Sequence, residues 1–267
     1  GGSGGHIIPN LAIASELRKL APSVQLLYIG SRQILDRTLV AKAGIPFKSI
    51  FTGKWRRYFS WRNFVDPFLV LLGFVQAFYY VVSFWPHVVF TKGGFVSLPV
   101  VFTAWILRRP IILHESDAVM GLTNRLTAKF ATKICLGFSL DQETAAKAGP
   151  SAENRKLKTV ITGNPVRSFI QNGSVERGYE LTGFHPGKPV LFVWGGSQGS
   201  QEINELIETH FQELQTHFQI VHVTGQNKST SVHHPHYKAF EYLEDELPHI
   251  YAITDFIFGR AGANSFA

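Results

Sequence analysis

Short apolar runs of strand length alternate with segments of helical period along the chain, and partway through the alternation restarts. The first series places strands at residues 24–29, 47–51, 87–91, 111–113 and 132–136; the second places them at 189–194, 219–224 and 255–258. A strand that reaches the next strand through a helix crosses over the sheet and pairs in parallel, so each series predicts an α/β layer built on a parallel sheet. Between them lie Thr162-Gly-Asn-Pro-Val-Arg167 and the polar, glycine-containing stretch 171–189, which carry the breakers of a connection between domains. The predicted division is therefore 1–162 and 163–267, a length that suits two lobes. Each lobe carries a glycine-rich turn ahead of a helix, at 1–5 and at 195–200, so the two read as a loose internal repeat.

Composition narrows the partners. With 45% hydrophobic and 17% charged residues the chain has ample material for a core and is not a disordered segment. A formal charge of +7 suits nucleic acid, an anionic bilayer or a phosphorylated substrate, and does not choose among them. The single cysteine, Cys135, excludes an internal disulfide and fits a reducing compartment. Zinc-ligand spacing, a nucleophile elbow and an RNA-binding aromatic signature are all missing from the sequence. The opening glycine turn normally follows a strand, and Ala267 falls a few residues into a strand-to-helix turn. Both ends are therefore expected to be cut, with a first strand missing.

Several motifs sit where such folds bind ligands, beyond the carboxyl ends of strands. Gly195-Gly-Ser-Gln-Gly-Ser200 follows an apolar strand and precedes a helical segment. Its glycines allow close backbone approach, and free N–H groups at the helix start favour a phosphate, although a tight turn that binds nothing has the same sequence. The turn lacks the Gly-Lys-Ser/Thr of a Walker loop. Gly1-Gly-Ser-Gly-Gly-His6 departs from a dinucleotide fingerprint, because Ile7 occupies the place of its third glycine and Gly30-Ser31-Arg32 follows the next strand without an acidic residue. His6 begins a helix, where the dipole favours a neutral imidazole suited to general-base work, although a lone histidine is more often structural. His114-Glu-Ser-Asp117 offers two carboxylates for a proton or for sugar hydroxyls, or else a helix N-cap. Lys92-Gly-Gly-Phe95 holds the equivalent place after the preceding strand, and Arg167 and Arg260 follow turn or strand ends, where each suits a phosphate or a surface ion pair.

The stretch 64–85 is the most apolar, and Lys54-Trp-Arg-Arg-Tyr-Phe-Ser-Trp-Arg62 precedes it. It is long enough to cross a bilayer, but it joins two strands of one parallel sheet and therefore reads as a crossover helix whose outer face meets lipid. A helix buried on both sides is the alternative.

Taken together, Gly1-Gly-Ser-Gly-Gly-His-Ile-Ile-Pro9, Lys92-Gly-Gly-Phe95, His114-Glu-Ser-Asp117 with Gly121-Leu-Thr-Asn124, Gly163-Asn-Pro-Val-Arg167, Gly195-Gly-Ser-Gln-Gly-Ser200 and Gly259-Arg-Ala-Gly-Ala263 resemble, in order and over the whole chain, the MurG family of bacterial transferases that make lipid II. The resemblance implies a GT-B fold, two Rossmann-like α/β lobes with parallel sheets and a cleft between them. The N-terminal lobe would take the acceptor and the membrane, and the C-terminal lobe the nucleotide sugar. It implies an inverting transfer of N-acetylglucosamine from UDP-GlcNAc to the 4-hydroxyl of an undecaprenyl-diphosphate-linked acceptor (lipid I), without a cofactor or metal.

By the same resemblance His6 and Glu115 are the catalytic candidates, with His6 as general base, and Gly93, Gly94 and Phe95 face the acceptor. The donor would be held by Ser3, Gly4, Gly5, Asp117, Asn124, Arg167, Ser197, Gln198, Tyr242, Leu243, Arg260, Gly262 and Ala263. Tyr242 and Leu243 would flank the uracil. The implied partners are UDP-GlcNAc, the lipid-linked acceptor and an anionic membrane surface, not nucleic acid, and the implied place is the cytoplasmic face of the bacterial inner membrane, as a peripheral protein. Phe95 replaces the family's usual tyrosine, and the family's ribose-binding glutamate and paired glutamines would lie beyond Ala267. A related glycolipid transferase and a non-catalytic lipid-binding protein of the same fold are the competing readings.

Overall fold

The computed structural model describes residues 4–52, 62–138, 159–196, 199–260 and 262, with side chains from residue 7 onward except at 35 and 62–67. The chain divides into two compact units, one running through Val166 and the other covering Arg167–Ser265. The division falls just past the expected 162/163 boundary. Residues 163–166 stay with the first unit because the Gly163 carbonyl accepts a hydrogen bond from His114 Nε2 at 3.0 Å and Asn164 Nδ2 donates to the Ser116 carbonyl at 3.4 Å.

In the first unit, strands β3 (Val89–Thr91), β4 (Ile111–Glu115), β5 (Lys133–Leu136) and β6 (Thr159–Ile161) form one wholly parallel sheet in sequential order. Val89, Ile111, Leu113, Ile134 and Leu136 pack with Val101, Ala104, Met120 and Ala128 from the crossovers α4 (Ser97–Ile106) and α5 (Leu122–Ala128) and the turns beside them. Strands β1 (Tyr28–Gly30) and β2 (Phe47–Ser49) pair in parallel as a separate sheet. The sequence predicts one sheet for this lobe; the described residues form two, because β1 and β3 do not pair. Instead an apolar cavity of about 240 Å³ is lined by Tyr28 and Ile29 of β1 and Val89 to Thr91 of β3. Helices α1 (Gly4–Leu20) and α2 (Ile34–Lys42) pack beside β1, with Ile7, Val40 and Ile45 as their buried centre.

Helix α3 (Arg62–Phe84) is the predicted crossover between β2 and β3. Its inner face is set by Gly73, where a Cβ would collide with the Phe51 carbonyl, by Gln76, whose Oε1 accepts from Phe51 N at 2.8 Å, and by the buried Ala77 and Val81. Residues spaced by three and four share a helix face. The opposite face accordingly carries Phe68, Leu71, Leu72, Val75, Phe78, Tyr79 and Val82, all exposed. Among the described residues no helix is long and apolar enough to cross a membrane.

The second unit is a four-stranded parallel sheet ordered β10-β7-β8-β9, from β7 (Val190–Trp194), β8 (Gln219–Val223), β9 (Tyr237–Phe240) and β10 (Phe256–Gly259). Side chains of a strand alternate between faces. Val190, Phe192, Val221 and Val223 therefore meet one cluster, with Phe184 and the residues of α8 (Leu247–Ala252), while Leu191, Val193 and Ile220 meet Ile203, Ile207 and Phe211 of α7 (Gln201–His217). Helix α6 (Val175–Thr182) starts where Ser174 Oγ accepts from Arg177 N and ends at left-handed Gly183, φ 73°.

His222 of β8 is fully buried, and that burial is the main cause holding its imidazole down from 6.5 to about 4, with Glu208 opposing. Between those values the unfolded chain binds a proton that the folded chain does not, so stability falls as the pH drops. We expect a loss of up to about 3 kcal/mol between pH 6.5 and 4, complete only below the folded value. Urea unfolding across that range measures it; a slope identical in His222→Gln would assign the acid sensitivity to other groups.

Candidate functional site

The carboxyl edge of the first unit's sheet gathers a buried polar cluster. Glu115 closes β4 with 4% of its surface exposed, and both of its carboxylate oxygens are engaged. Oε1 accepts from Asp117 N at 3.0 Å, and Oε2 from Gly121 N at 3.3 Å and from Asn124 Nδ2 at 2.8 Å. The carboxylate thereby folds the 116–121 loop around itself and ties it to α5. His114 donates from Nε2 to Gly163, which leaves Nδ1 to accept from Ser116 Oγ, 3.5 Å away. Burial, more than any other cause, pushes His114 below the usual imidazole value; the Gly163 contact opposes it and Lys92 adds to it.

After β3 the chain turns through Gly93 and Gly94, at φ 84° and 83°, a region that side-chain-bearing residues rarely adopt. A Cβ at Gly93 would also collide with Asn124 Oδ1, so the turn lies directly against α5. Lys92 is 4% exposed, and its Nζ has no hydrogen-bond partner among the described residues. Its burial lowers it from 10.5 to about 8, against the pull of Glu115 and Asp117. Asn124 Oδ1 is likewise buried without a described partner. A buried cation and a buried acceptor left open at a strand's carboxyl edge are groups that a polar ligand can satisfy.

The second unit offers a phosphate-type turn between β7 and α7. Gly196 and Gly199 have φ 91° and 68°, and a Cβ at Gly195 would meet the Ser200 backbone nitrogen. Ser200 caps α7, its Oγ accepting from Ile203 N. Helix α7 therefore presents its N-terminus at the glycine turn, the arrangement that favours an anion. Arg167 lies with its guanidinium 4.6 Å from the Phe169 ring centroid. Arg260 lies 3.8 Å from Glu202 at the exposed start of α7, and Gly262 N donates to the Arg260 carbonyl.

The structure thus brings Gly93, Gly94, Glu115, Asp117 and Asn124 together in the first unit, with Phe95 turned into a neighbouring apolar cluster beside Ile50 and Val96. Gly4, Gly5 and His6 form the first turn of α1. In the second unit Tyr242 is partly exposed, whereas the Leu243 side chain is buried against Phe192 and Ile250, so only its backbone is left to flank a base. Ser3, Ser197, Gln198 and Ala263, and the basic aromatic stretch at 53–61, lie outside the described residues. The sequence places Lys92-Gly-Gly-Phe95 in the site for its glycines; the part of the Lys92 side chain emerges only from its burial in the structure. Its place was the available signal: a lysine directly after an apolar strand and before two glycines.

Two domain families match the chain: the glycosyltransferase family 28 N-terminal domain over residues 1–136 and the glycosyltransferase family 28 C-terminal domain over 190–267. A Bacillus cereus protein described as a UDP-N-acetylglucosamine--N-acetylmuramyl-(pentapeptide) pyrophosphoryl-undecaprenol N-acetylglucosamine transferase is 44% identical over 99% of the chain and 73% of its own length. A Legionella pneumophila protein of the same description is 41% identical over 99% of the chain and 71% of its own length. Among solved structures, Acinetobacter baumannii MurG matches with TM-score 0.65 at 22% identity, covering 99% of this chain and 70% of that one. The UDP-GlcNAc 2-epimerase of Neisseria meningitidis, bound to UDP-GlcNAc, matches with TM-score 0.61 at 13% identity, covering 97% and 75%. At these identities the structures establish the GT-B fold, which transferases and epimerases share.

Proposed function

The chain belongs to glycosyltransferase family 28, and from that premise we propose that it transfers N-acetylglucosamine from UDP-GlcNAc to lipid-linked N-acetylmuramyl-pentapeptide, turning lipid I into lipid II in peptidoglycan synthesis. The observation that carries the reading is the 44% identity over nearly the whole chain to a transferase of that description; the fold by itself would suit an epimerase equally. The fold supplies two anion-favouring turns on separate units, the Lys92-Gly93-Gly94 turn and the Gly195–Ser200 turn, which suits a reaction joining one diphosphate-bearing substrate to another.

In this reading His6, on the first turn of α1, takes the proton of the acceptor 4-hydroxyl as it attacks the anomeric carbon. The bond from that carbon to the diphosphate oxygen breaks, and uridine diphosphate leaves with the charge, stabilised by the N-terminus of α7. Lys92 with Gly93 and Gly94 faces the acceptor diphosphate. Glu115 shapes the loop that carries Asp117 toward the donor sugar. Acceptor-dependent release of uridine diphosphate tests the proposal: release should require both substrates, and release at the same rate without acceptor would rule the transfer out.

The exposed apolar face of α3, continued by Phe102, Trp105 and Ile106 of α4, rests on lipid at the cytoplasmic face of the bacterial membrane. Each apolar side chain inserted contributes roughly 1.5–3 kcal/mol at most. Leu71→Glu with Val75→Glu is therefore expected to lower partition onto vesicles containing anionic lipid by at least about tenfold, while folding is unchanged because both side chains are exposed. Equal partition of the variant and the parent protein would remove this face from the membrane contact.

A further inference from the structure

We propose that His222 is a positioning residue for the donor turn, acting through a buried hydrogen-bond chain that ends beneath Gly199. The inference rests on the reading above, in which the Gly195–Ser200 turn holds the donor diphosphate.

The chain can be followed atom by atom. Tyr237 Oη of β9 lies 3.2 Å from Thr230 Oγ1 and 2.7 Å from His222 Nδ1. On the other side of the ring, His222 Nε2 lies 3.1 Å from Asn204 Oδ1, and Asn204 Nδ2 donates to the Thr224 carbonyl at 3.0 Å. The Asn204 amide fixes the polarity. Its nitrogen is committed to Thr224, its oxygen can only accept, and Nε2 must therefore carry the imidazole proton while Nδ1 accepts from Tyr237. His222, Asn204, Thr224 and Tyr237 are all buried, so no water competes for these groups.

The far end of this chain makes it more than a satisfied core. Gly199, at φ 68°, lies so close to the Thr224 carbonyl that a Cβ would strike it. The orientation of that one carbonyl sets the height at which the turn can lie above the end of β8. Asn204 sits in the first turn of α7, directly after the Ser200 cap, so the same side chain locks the helix start to the strand end. An aliphatic residue at 222 would fill the interior beside Ile220 without the desolvation of an imidazole. The ring instead donates from Nε2 to Asn204 Oδ1 and so holds the amide in place with its nitrogen on the Thr224 carbonyl.

Asn204→Asp tests this on the full chain. The carboxylate still accepts from His222 but cannot donate to Thr224, and it repels that carbonyl. The affinity for uridine diphosphate, measured by calorimetry, is expected to weaken by about tenfold or more, with the donor KM rising and the acceptor KM unchanged. Tyr237→Phe, a milder cut at the opposite end, should weaken it about threefold. Ile220→Ala, buried on the same face of β8, serves as the control: its melting temperature falls while uridine diphosphate binds within about twofold of the parent. The inference is overturned if both network variants bind like the parent, or if the control loses as much affinity as they do. Failure of the parent chain to bind uridine diphosphate would instead overturn the donor-site reading on which it stands.

Discussion

Alanine in place of His6 is expected to lower the rate of sugar transfer by roughly 100- to 10,000-fold, the range lost when a positioned general base is removed. The acceptor 4-hydroxyl is a poor nucleophile until its proton has somewhere to go, and in the proposed reading that place is His6, on the first turn of the 17-residue helix α1. The affinity for uridine diphosphate should stay within about threefold of the parent, because the loss falls on the transition state rather than on ground-state binding. Transfer by the variant at close to the parent rate would move the base to another group.

The second large effect is expected at Glu115. Three donors converge on its buried carboxylate, two backbone N–H groups of the loop and the buried Asn124 amide. In Glu115→Gln one oxygen becomes an NH2 group facing donors. At least one buried N–H then loses its partner, at about 1–3 kcal/mol, and the loop carrying Asp117 loosens. We expect kcat/KM to fall roughly 100-fold together with a melting temperature lower by about 2–4 °C per kcal/mol. The two losses together mark a residue that shapes the site. A purely chemical role would look different: an unchanged melting temperature, with the acid limb of the pH–rate profile removed.

Much of the fold was legible because parallel strands buried on both faces are written as continuous apolar runs, as at 190–194. Helix α3 was legible for a different reason: an apolar stretch that joins two strands of one parallel sheet has to cross over it, whereas the face that packs inward, set by Gly73, Gln76 and Ala77, emerges only from the structure. Strands β6 and β9 were not read. Thr159–Ile161 is short, with Val160 and Ile161 exposed, and Tyr237–Phe240 follows His233-His234-Pro235-His236, a stretch without aliphatic residues. Each lies at the edge of its sheet, where one neighbour is enough and the apolar signal is weak.

The motifs located the glycine turns and the carboxylates, because glycines before a helix announce an anion site locally. Partnerships across long stretches of sequence were out of reach. His114 and Gly163 are 49 positions apart, and nothing in either segment announces their hydrogen bond. Glu115 read as one of two carboxylates open to a proton or to sugar hydroxyls; its three donors are local, but whether they turn toward it depends on how α5 packs against β4.

The most direct test of the central claim is a competition between acceptors. The full chain is given UDP-GlcNAc labelled in the sugar, with a lipid-diphosphate-linked N-acetylmuramyl-pentapeptide and diacylglycerol present together in the same vesicles. Label is expected in the diphosphate-linked product, in β-linkage at the 4-hydroxyl, with diacylglycerol left unlabelled. Label in diacylglycerol, or uridine diphosphate binding without transfer to either lipid by the folded protein, would contradict the claim.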